Sequence, residues 1–338
     1  MRLRDLVRAA CLFAIALAIC AGPVGAATPA CSGRDMLLEL EVGDASAHAR
    51  VMAAAEGTAN ARALLWRIDA EGGAAPSYLF GTVHLTDDRV NALSPKTVAA
   101  IEGVRRIALE IDDMSPQTLG KAMAGMRELI VFADGRSLEN MLSADEFDIV
   151  QSVLGLNGTP RHVATVLRPW LVTLSLSLPA CERRRAAAGL QALDMRLAEA
   201  GKKRGIPVIG LETLEGQMRA LAAVPEGDQL QMLKMSLKFY NRSDDLMETM
   251  VRRYLDRDIG VIWPFQMELA RGAGFSPEAF KSFEEQMVSV RNRRMRDAAV
   301  PLLREGGTFI AVGALHLPGK MGLVELFREA GFTVTAID

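Results

Sequence analysis

Two short segments near opposite ends of this 338-residue chain share a pattern that constrains the fold. Each places a histidine three residues after a glycine, at the end of an apolar, strand-like run: Gly81-Thr82-Val83-His84 and Gly313-Ala314-Leu315-His316. A strand that runs into a turn explains one such copy, but two copies in matching contexts favour a shared site. Because imidazole binds metals and moves protons near neutral pH, the pair predicts a fold that brings both chain ends to one place.

The glycines and a nearby carboxylate extend this predicted site. Gly81 and Gly313 leave room for the backbone to bend and for a ligand to approach closely. Glu110 ends another strand-like run, between Leu109 and Ile111. A carboxylate in such a setting is costly to bury unless a metal, an arginine or an imidazole pairs with it. The alternative is an exposed position on the outer face of an edge strand.

Two histidines and one carboxylate form a common ligand set for a catalytic divalent cation, with open positions for water and substrate. We therefore interpret His84, His316 and Glu110 as both catalytic and metal-binding candidates. Such a cation acidifies its bound water and polarises a carbonyl, which favours amide or ester hydrolysis. Glu110 fits either a ligand or a general base. A metal-free alternative has a histidine and Glu110 share acid and base duties.

An arginine-rich stretch supplies candidate cationic support. Most of the arginines between positions 291 and 296 fit the solvated face of a helix, but one of them that points inward could hold an anionic substrate group or oxyanion. Glu212, just after a predicted strand, is a weaker candidate. His48 and His162 lie in helical patterns without a matching carboxylate and are interpreted as structural or exposed.

Composition and missing motifs exclude several function classes. A net charge of -2, a pI near 6.2 and no basic patch with interleaved aromatics predict no nucleic-acid partner. The sequence has no glycine-rich phosphate loop, no Gly-x-Ser-x-Gly elbow and no His-Glu-x-x-His helix. The three tryptophans are interpreted as packing residues: Trp66, Trp170 and Trp263.

Residues 1–26 read as a cleavable secretory signal peptide. Arg2, Arg4 and Arg8 precede an apolar run from Ala9 to Ala21, and small residues follow at 24–26. The run has 13 residues, shorter than the roughly 20 that a membrane anchor needs, and Ile19 before Cys20 disfavours a lipoprotein site. Cleavage would change the net charge from -2 to -4. We expect a periplasmic or secreted protein without a stable membrane span.

Export changes how the cysteines are interpreted. Signal cleavage removes Cys11 and Cys20 and leaves Cys31 and Cys181 in an oxidising compartment. We favour a disulfide between them, and two buried thiols are the alternative.

The order of predicted elements indicates a mixed α/β fold. A helical stretch at 35–55 precedes a predicted hairpin of strands at 63–68 and 78–83, and further strands are expected at 106–111, 205–211, 308–312 and 332–337. Helical periodicity dominates residues 115–305, including a long helix predicted from Ser276-Pro277 to about Leu303. We predict one domain over residues 27–338, with a central mixed sheet built from both chain ends, flanking helices and a mainly helical middle insertion.

The chain resembles the TraB/GumN family, which includes the Tiki metalloproteases and is distantly related to the erythromycin esterase-like hydrolases. The resemblance covers almost the whole mature chain and rests on short stretches in the family's order: residues 78–84, 108–112, 210–213, Arg291-Asn292 with Met295, and 312–319. Cys31-Ser32-Gly33 and Cys181-Glu182 resemble the exported bacterial branch.

The resemblance implies a mixed α/β fold with both Gly-x-x-His segments and the glutamate at one site. It also selects Arg291, with Asn292, as the arginine that points into that site and holds an anionic substrate group or oxyanion. In the Tiki branch that site belongs to a protease dependent on a divalent cation, manganese or cobalt rather than zinc. Bacterial members are named for roles in polysaccharide production or pheromone shutdown.

Two hypotheses follow from the sequence. The first is an exported metal-dependent hydrolase, peptidase-like, that acts on peptides or proteins. The second is a non-catalytic accessory protein that uses the same cleft to sequester a peptide or to assist polysaccharide export. Convergence of His84, His316 and Glu110 distinguishes them, because widely separated imidazoles would exclude the first.

Overall fold

The computed structural model describes residues 31–156 and 158–338 and contains one six-stranded mixed sheet with helices around it. The predicted signal peptide lies outside the described residues. The strands are β1 (Leu65–Asp69), β2 (Ser77–Thr82), β3 (Arg106–Leu109), β4 (Val208–Gly210), β5 (Thr308–Gly313) and β6 (Thr333–Ala336).

The helices alternate with these strands and fill the middle of the chain. In chain order they are α1 (Met36–Gly43), α2 (Ala45–Glu56), α3 (Asp88–Asn91), α4 (Pro95–Glu102), α5 (Pro116–Ala124), α6 (Arg127–Ile130), α7 (Ala144–Leu156), α8 (Arg161–Ala164), α9 (Pro169–Leu176), α10 (Ala180–Ala187), α11 (Leu193–Lys203), α12 (Leu214–Ala222), α13 (Glu226–Lys238), α14 (Ser243–Leu255), α15 (Ile262–Gly272), α16 (Glu278–Glu284), α17 (Val290–Glu305) and α18 (Leu323–Glu329). This arrangement confirms the mixed α/β prediction.

The strand order places the two predicted motifs side by side. The order is β4-β3-β5-β2-β1-β6, with β4, β3, β5 and β2 parallel and β1 antiparallel to both of its neighbours. Gly81 pairs with Val312 and Thr82 with Gly313. Because parallel strands end at the same edge of a sheet, the residues that follow β2, β3, β4 and β5 gather there.

Continuous apolar sequence explains why β3 and β5 lie inside the sheet. Strands buried on both faces read as apolar runs without alternation, and Ile107, Ala108, Phe309 and Ile310 are all fully buried. Their side chains belong to a core cluster around the sheet. A second cluster lies among helices α5 to α9, α12 and α13, and the assignment of residues 27–338 to one domain stays a prediction.

Local sequence chemistry sets several helix starts, as predicted. Ser94 caps α4, with Pro95 in the first turn. Ser143 and Glu146 form a reciprocal capping box at α7, with bonds of 2.8 and 3.2 Å. The predicted hairpin is also confirmed, because β1 and β2 pair antiparallel.

The long helix predicted for 276–303 is interrupted. It consists of α16, a π-helical segment over Glu285–Ser289, and α17. Helical periodicity does not reveal one extra residue in a turn, so the π segment was not predicted. Such segments occur frequently at functional sites, and this one ends two residues before Arg291.

A disulfide joins Cys31 to Cys181, with 5.5 Å between the Cα atoms. This confirms the favoured pairing and indicates an oxidising compartment. A cross-link between residues 150 positions apart contributes about 4 to 5 kcal/mol by loop entropy. Among residues 31–156 and 158–338, none of the helices combines the length and apolarity needed to cross a bilayer.

Candidate active site

His84 lies two residues beyond the end of β2 and is held through its Nδ1 atom. Nδ1 lies 2.7 Å from Asp194 Oδ2, in the first turn of α11. Thr82 Oγ1 donates to the other oxygen of Asp194 at 2.6 Å. Because a carboxylate only accepts, the Nδ1 atom of His84 carries the proton in this bond, and Nε2 is left for a ligand or a second proton.

The Asp194 carboxylate also sets the charge of His84. Desolvation lowers the pKa of this imidazole, but the charge of Asp194 and its hydrogen bond outweigh desolvation and raise the pKa to about 9. The His84 side chain is 60% exposed, so water screens part of this attraction. His84 is therefore cationic at neutral pH when nothing binds Nε2.

His316 follows β5 in a short 3₁₀ turn and has a different partner. Its Nδ1 atom lies 2.6 Å from Asn292 Oδ1. Asn292 Nδ2 donates to the carbonyl oxygens of His316 and Met321, at 3.2 and 2.7 Å. Those two bonds fix the amide orientation, so Oδ1 accepts from the Nδ1 proton of His316. The Nε2 lone pair of His316 is therefore free.

His316 is neutral at neutral pH. Burial lowers the pKa of His316 to about 4, against the opposing charge of Glu110. The side chain is only 7% exposed. A buried neutral imidazole with an unprotonated Nε2 atom is suited to act as a base or as a metal ligand.

Glu110 lies between these histidines and is buried. Its Oε1 atom accepts the Gly313 N–H at 2.7 Å and lies 3.6 Å from His316 Nε2. Its Oε2 atom accepts from Arg291 at 2.6 Å and from Gln217 at 2.9 Å. Burial raises the pKa of Glu110, but the charges of His316, Arg291 and His84, with the Gly313 bond, lower it to about 2.

Arg291 neutralises two buried carboxylates. Its guanidinium bonds Glu110 once and Glu212 Oε2 twice, at 2.9 and 2.8 Å. It also donates to the Met287 carbonyl, in the π segment, at 3.3 Å. Burial lowers the pKa of Arg291, but Glu110 and Glu212 outweigh burial and raise it. The cation is thus committed to the protein's own carboxylates.

The two motif glycines have different surroundings. A Cβ on Gly313 would lie 3.2 Å from Glu110 Oε1, 3.5 Å from His84 Nε2 and 3.6 Å from His316 Cδ2. The space that Gly313 leaves is therefore where the three candidate groups converge. A Cβ on Gly81 would instead meet Ala314 and Leu317 at 3.1 to 3.2 Å. Gly81 permits close packing between strand and turn.

The donor set fits a divalent cation in part. Among residues 31–156 and 158–338, no group of three or more His, Cys, Asp or Glu side chains forms a complete metal-binding set. The chemistry of the individual donors nevertheless fits, because each imidazole is anchored through Nδ1 and keeps Nε2 available, as metal-ligating histidines do. Two acceptors, His316 Nε2 and Glu110 Oε1, face each other at 3.6 Å without a proton between them. A cation between them would relieve that repulsion.

The structure brings together the predicted residues His84, Glu110, Arg291 and His316, with Asn292 and the weaker candidate Glu212. His48, on α2, and His162, on α8, lie in helices as interpreted. Trp66 and Trp170 are buried packing residues, and Trp263 stacks on Phe283.

Three side chains that hydrogen-bond residues of the candidate site were not predicted: Asp194, Gln217 and Tyr254. Asp194 lies in the first turn of a helix, where acidic residues are common because they interact favourably with the helix dipole. An aspartate at this position therefore does not by itself indicate a site residue. Gln217 is one polar residue of an amphipathic helix. The buried Tyr254 donates to the Gly81 carbonyl at 2.9 Å. Only the fold, not a local pattern, brings these residues to the site.

Comparison with known proteins identifies the family of the chain. A model of the TraB/PrgY/gumN family matches residues 64–336. The chain is 22% identical to "Uncharacterized protein YbaP" of Shigella flexneri over 75% of this chain and 88% of that protein. It is also 22% identical to "Uncharacterized protein YbaP" of Escherichia coli (strain K12), over 74% and 87% respectively. No solved structure matches the chain.

Proposed function

Because the chain belongs to the TraB/PrgY/gumN family, we propose that it is a divalent-metal-dependent hydrolase, peptidase-like in its substrate. One observation carries the proposal. The Nε2 side of two anchored imidazoles and one ionised, buried carboxylate meet at the space above Gly313. Such a meeting of groups from three parallel strand ends is the kind of arrangement that catalysis requires.

His84, His316 and Glu110 would hold the cation, which we expect to be manganese or cobalt. When bound, such a cation acidifies a water molecule and polarises a carbonyl. Asp194 and Asn292 orient the two imidazoles. Arg291 and Gln217 hold Glu110, and the Gly313 N–H fixes its inner oxygen.

The residues also suit metal-free hydrolysis, which is the competing version of the same proposal. Neighbouring groups with pKa values pushed in opposite directions are suited to acid and base roles. His316, neutral with a free Nε2 lone pair, would take a proton from water. His84, cationic, would donate one to the leaving group. Glu110 would keep the positive charge of His84 in place.

A non-catalytic accessory protein is the second candidate. The observation that favours it is the complete hydrogen bonding of Glu110, whose two oxygens accept from Arg291, Gln217 and the Gly313 N–H. A satisfied network needs no ligand. Such a protein would use the cleft to sequester a peptide or to assist polysaccharide export.

We place the protein in the periplasm or outside the cell. The disulfide between Cys31 and Cys181 supports an oxidising location, and residues 1–26 have the pattern of a secretory signal. Protein sequencing of the N-terminus after expression in a Gram-negative host tests cleavage near residue 26.

The function is tested with purified mature protein and a mixed peptide library. Bound metal is measured first, and cleavage is followed by mass spectrometry with EDTA, manganese or cobalt. We expect metal-dependent cleavage that His84→Ala, Glu110→Gln and His316→Ala abolish and that His162→Ala, a matched histidine outside the site, preserves. Cleavage in EDTA that needs the same residues supports the metal-free version. Cleavage that ignores all three substitutions contradicts the site, and absence of turnover favours the accessory protein.

A further inference from the structure

A polar groove of about 380 Å³ lies beside the site. Its walls include Thr86, two residues beyond His84, and Gln191, three residues before Asp194. The groove therefore adjoins both chain segments that form the His84–Asp194 pair. A volume of about 300 to 1,000 Å³ is usual for a small-molecule or peptide pocket.

Asn91 gives this groove an uncommitted amide. Asn91 is a wall residue at the end of α3 and is 6% exposed. Its Oδ1 atom is buried and has no hydrogen-bond partner among the residues that the structure describes. Buried polar groups without partners are rare and need an explanation. A side-chain amide both donates and accepts, as a peptide group does, so a peptide bond is its natural complement.

The groove also presents one free cation and one free anion. The exposed side chains of Arg196, on α11, and Asp88, on α3, make no ion pair with any residue that the structure describes. In contrast, Lys203 and Glu199 pair with each other at 2.7 Å. Arg196 is thus the uncommitted cation of the groove, and its planar guanidinium matches a carboxylate.

We propose that this groove is a substrate subsite for a short peptide segment that carries a carboxylate. Arg196 pairs with the carboxylate, the Asn91 amide bonds a peptide group, and Asp88 disfavours an additional negative charge. The proposal rests on the proposed function in one respect, because it takes the bound peptide to be the substrate of the neighbouring site.

Binding is measured without turnover, by calorimetry in EDTA, using acetyl-Gly-Gly-Gly-Glu-amide and acetyl-Gly-Gly-Gly-Gln-amide, which differ by one carboxylate. We expect the acidic peptide to bind at least tenfold more tightly, and high salt to reduce the difference. Arg196→Ala should remove the preference, whereas Lys202→Ala, which removes a charge from the same helix outside the groove, should keep it. Asn91→Ala should weaken both peptides equally, and circular dichroism verifies that each variant is folded.

Equal binding of the two peptides, undetectable binding of both, or an unchanged preference in Arg196→Ala overturns the subsite. Tighter binding of a galacturonic acid trimer than of the acidic peptide also overturns it, in favour of an acidic polysaccharide. Carboxylate-selective binding without cleavage under any metal condition supports the groove and rejects the hydrolase. Cleavage with no preference for a carboxylate supports the hydrolase and rejects the groove as a subsite.

Discussion

The two Gly-x-x-His segments have the same sequence pattern and opposite chemistry. His84 is half exposed and bonds a carboxylate, which raises its pKa to about 9. His316 is buried and bonds a neutral amide. Because an amide does not balance the charge of an imidazolium, burial lowers the pKa of His316 to about 4. The comparison shows that the side chain bonded to Nδ1 determines the charge of each imidazole at neutral pH. In both segments that side chain comes from a helix elsewhere in the chain.

The glycines of the two segments differ in the same way. Gly81 lets a strand and a turn pack closely, while Gly313 leaves the space in which the candidate groups meet. Gly81 therefore contributes to packing, and Gly313 contributes to the candidate site.

The largest expected loss of stability follows from removing Arg291, the cation that pairs with Glu110 between the two histidines. Arg291→Ala leaves Glu110 and Glu212 buried without their cation, and breaking a buried pair costs about 3 to 5 kcal/mol. We expect urea denaturation to show a loss of that size. Arg293→Ala, on the same helix but in an exposed pair, should cost less than about 1 kcal/mol. Similar losses for both variants would mean that Glu110 does not depend on Arg291.

Acid should destabilise the protein through His316 and not through His84. The pKa of folded His316 lies below the ordinary 6.5, so its contribution is present above pH 6.5 and declines as pH falls towards 4. The folded pKa of His84 lies above 6.5, so its contribution is already complete below pH 6.5. At about 1.4 kcal/mol per pKa unit, His316 accounts for at most about 3.5 kcal/mol.

Urea denaturation of the wild type and of His316→Gln between pH 6.5 and 4.5 measures this effect. The wild type should lose stability as pH falls, and the variant should show a flatter profile. The Glu110 pKa is lowered from 4.5, so Glu110 adds little in this window. An equally steep profile in the variant would show that another group titrates there.

Alanine at the two glycines should separate packing from function. Gly81→Ala places a methyl group against Ala314 and Leu317, and overpacking costs about 1 to 3 kcal/mol. Gly313→Ala fills the space beside Glu110 and His84, so we expect smaller loss of stability but weaker metal binding or turnover. Thermal denaturation and metal titration measure the two effects. If Gly313→Ala binds metal normally, the space above it is not the ligand site.

The smallest expected change in stability follows from substituting Asp194. Asp194→Asn removes the charge that raises the pKa of His84, so we expect that pKa to fall from about 9 to 6.5 or below. The pair is partly exposed, so stability should change by less than about 1 kcal/mol. NMR titration of the imidazole signals reports the pKa, with Asp145→Asn on α7 as control. A pKa that stays near 9 would locate the cause elsewhere.

The sequence predicted this fold well because its strands are apolar and its turns are marked. The runs before His84 and His316 are buried strands, and Ser94-Pro95 starts a helix by local chemistry. Glu110 could be predicted because a carboxylate between the apolar residues Leu109 and Ile111 is costly to bury unless another group pairs with it. The π segment before Arg291 could not be predicted, because one added residue only shifts the phase of the apolar pattern, and this arginine-rich stretch has too few apolar residues to reveal the shift.

The partners of the histidines were only half predictable. Asn292 was identified beside Arg291, but Asp194 and Gln217 have ordinary helical positions and gain their roles from the packing of α11 and α12 against the sheet edge. The groove was not predicted for the same reason, since Asn91 and Arg196 lie more than a hundred positions apart in sequence.

The position of β5 has a consequence for biosynthesis. This strand lies between β3 and β2 at the middle of the sheet, yet its residues, 308–313, are made after both of those neighbours. A chain that ends earlier leaves two strands without their shared neighbour and exposes both edges, which favours aggregation. The site therefore cannot assemble until residues 308–316 have been made, because β5 supplies the Gly313 N–H and His316 follows it directly.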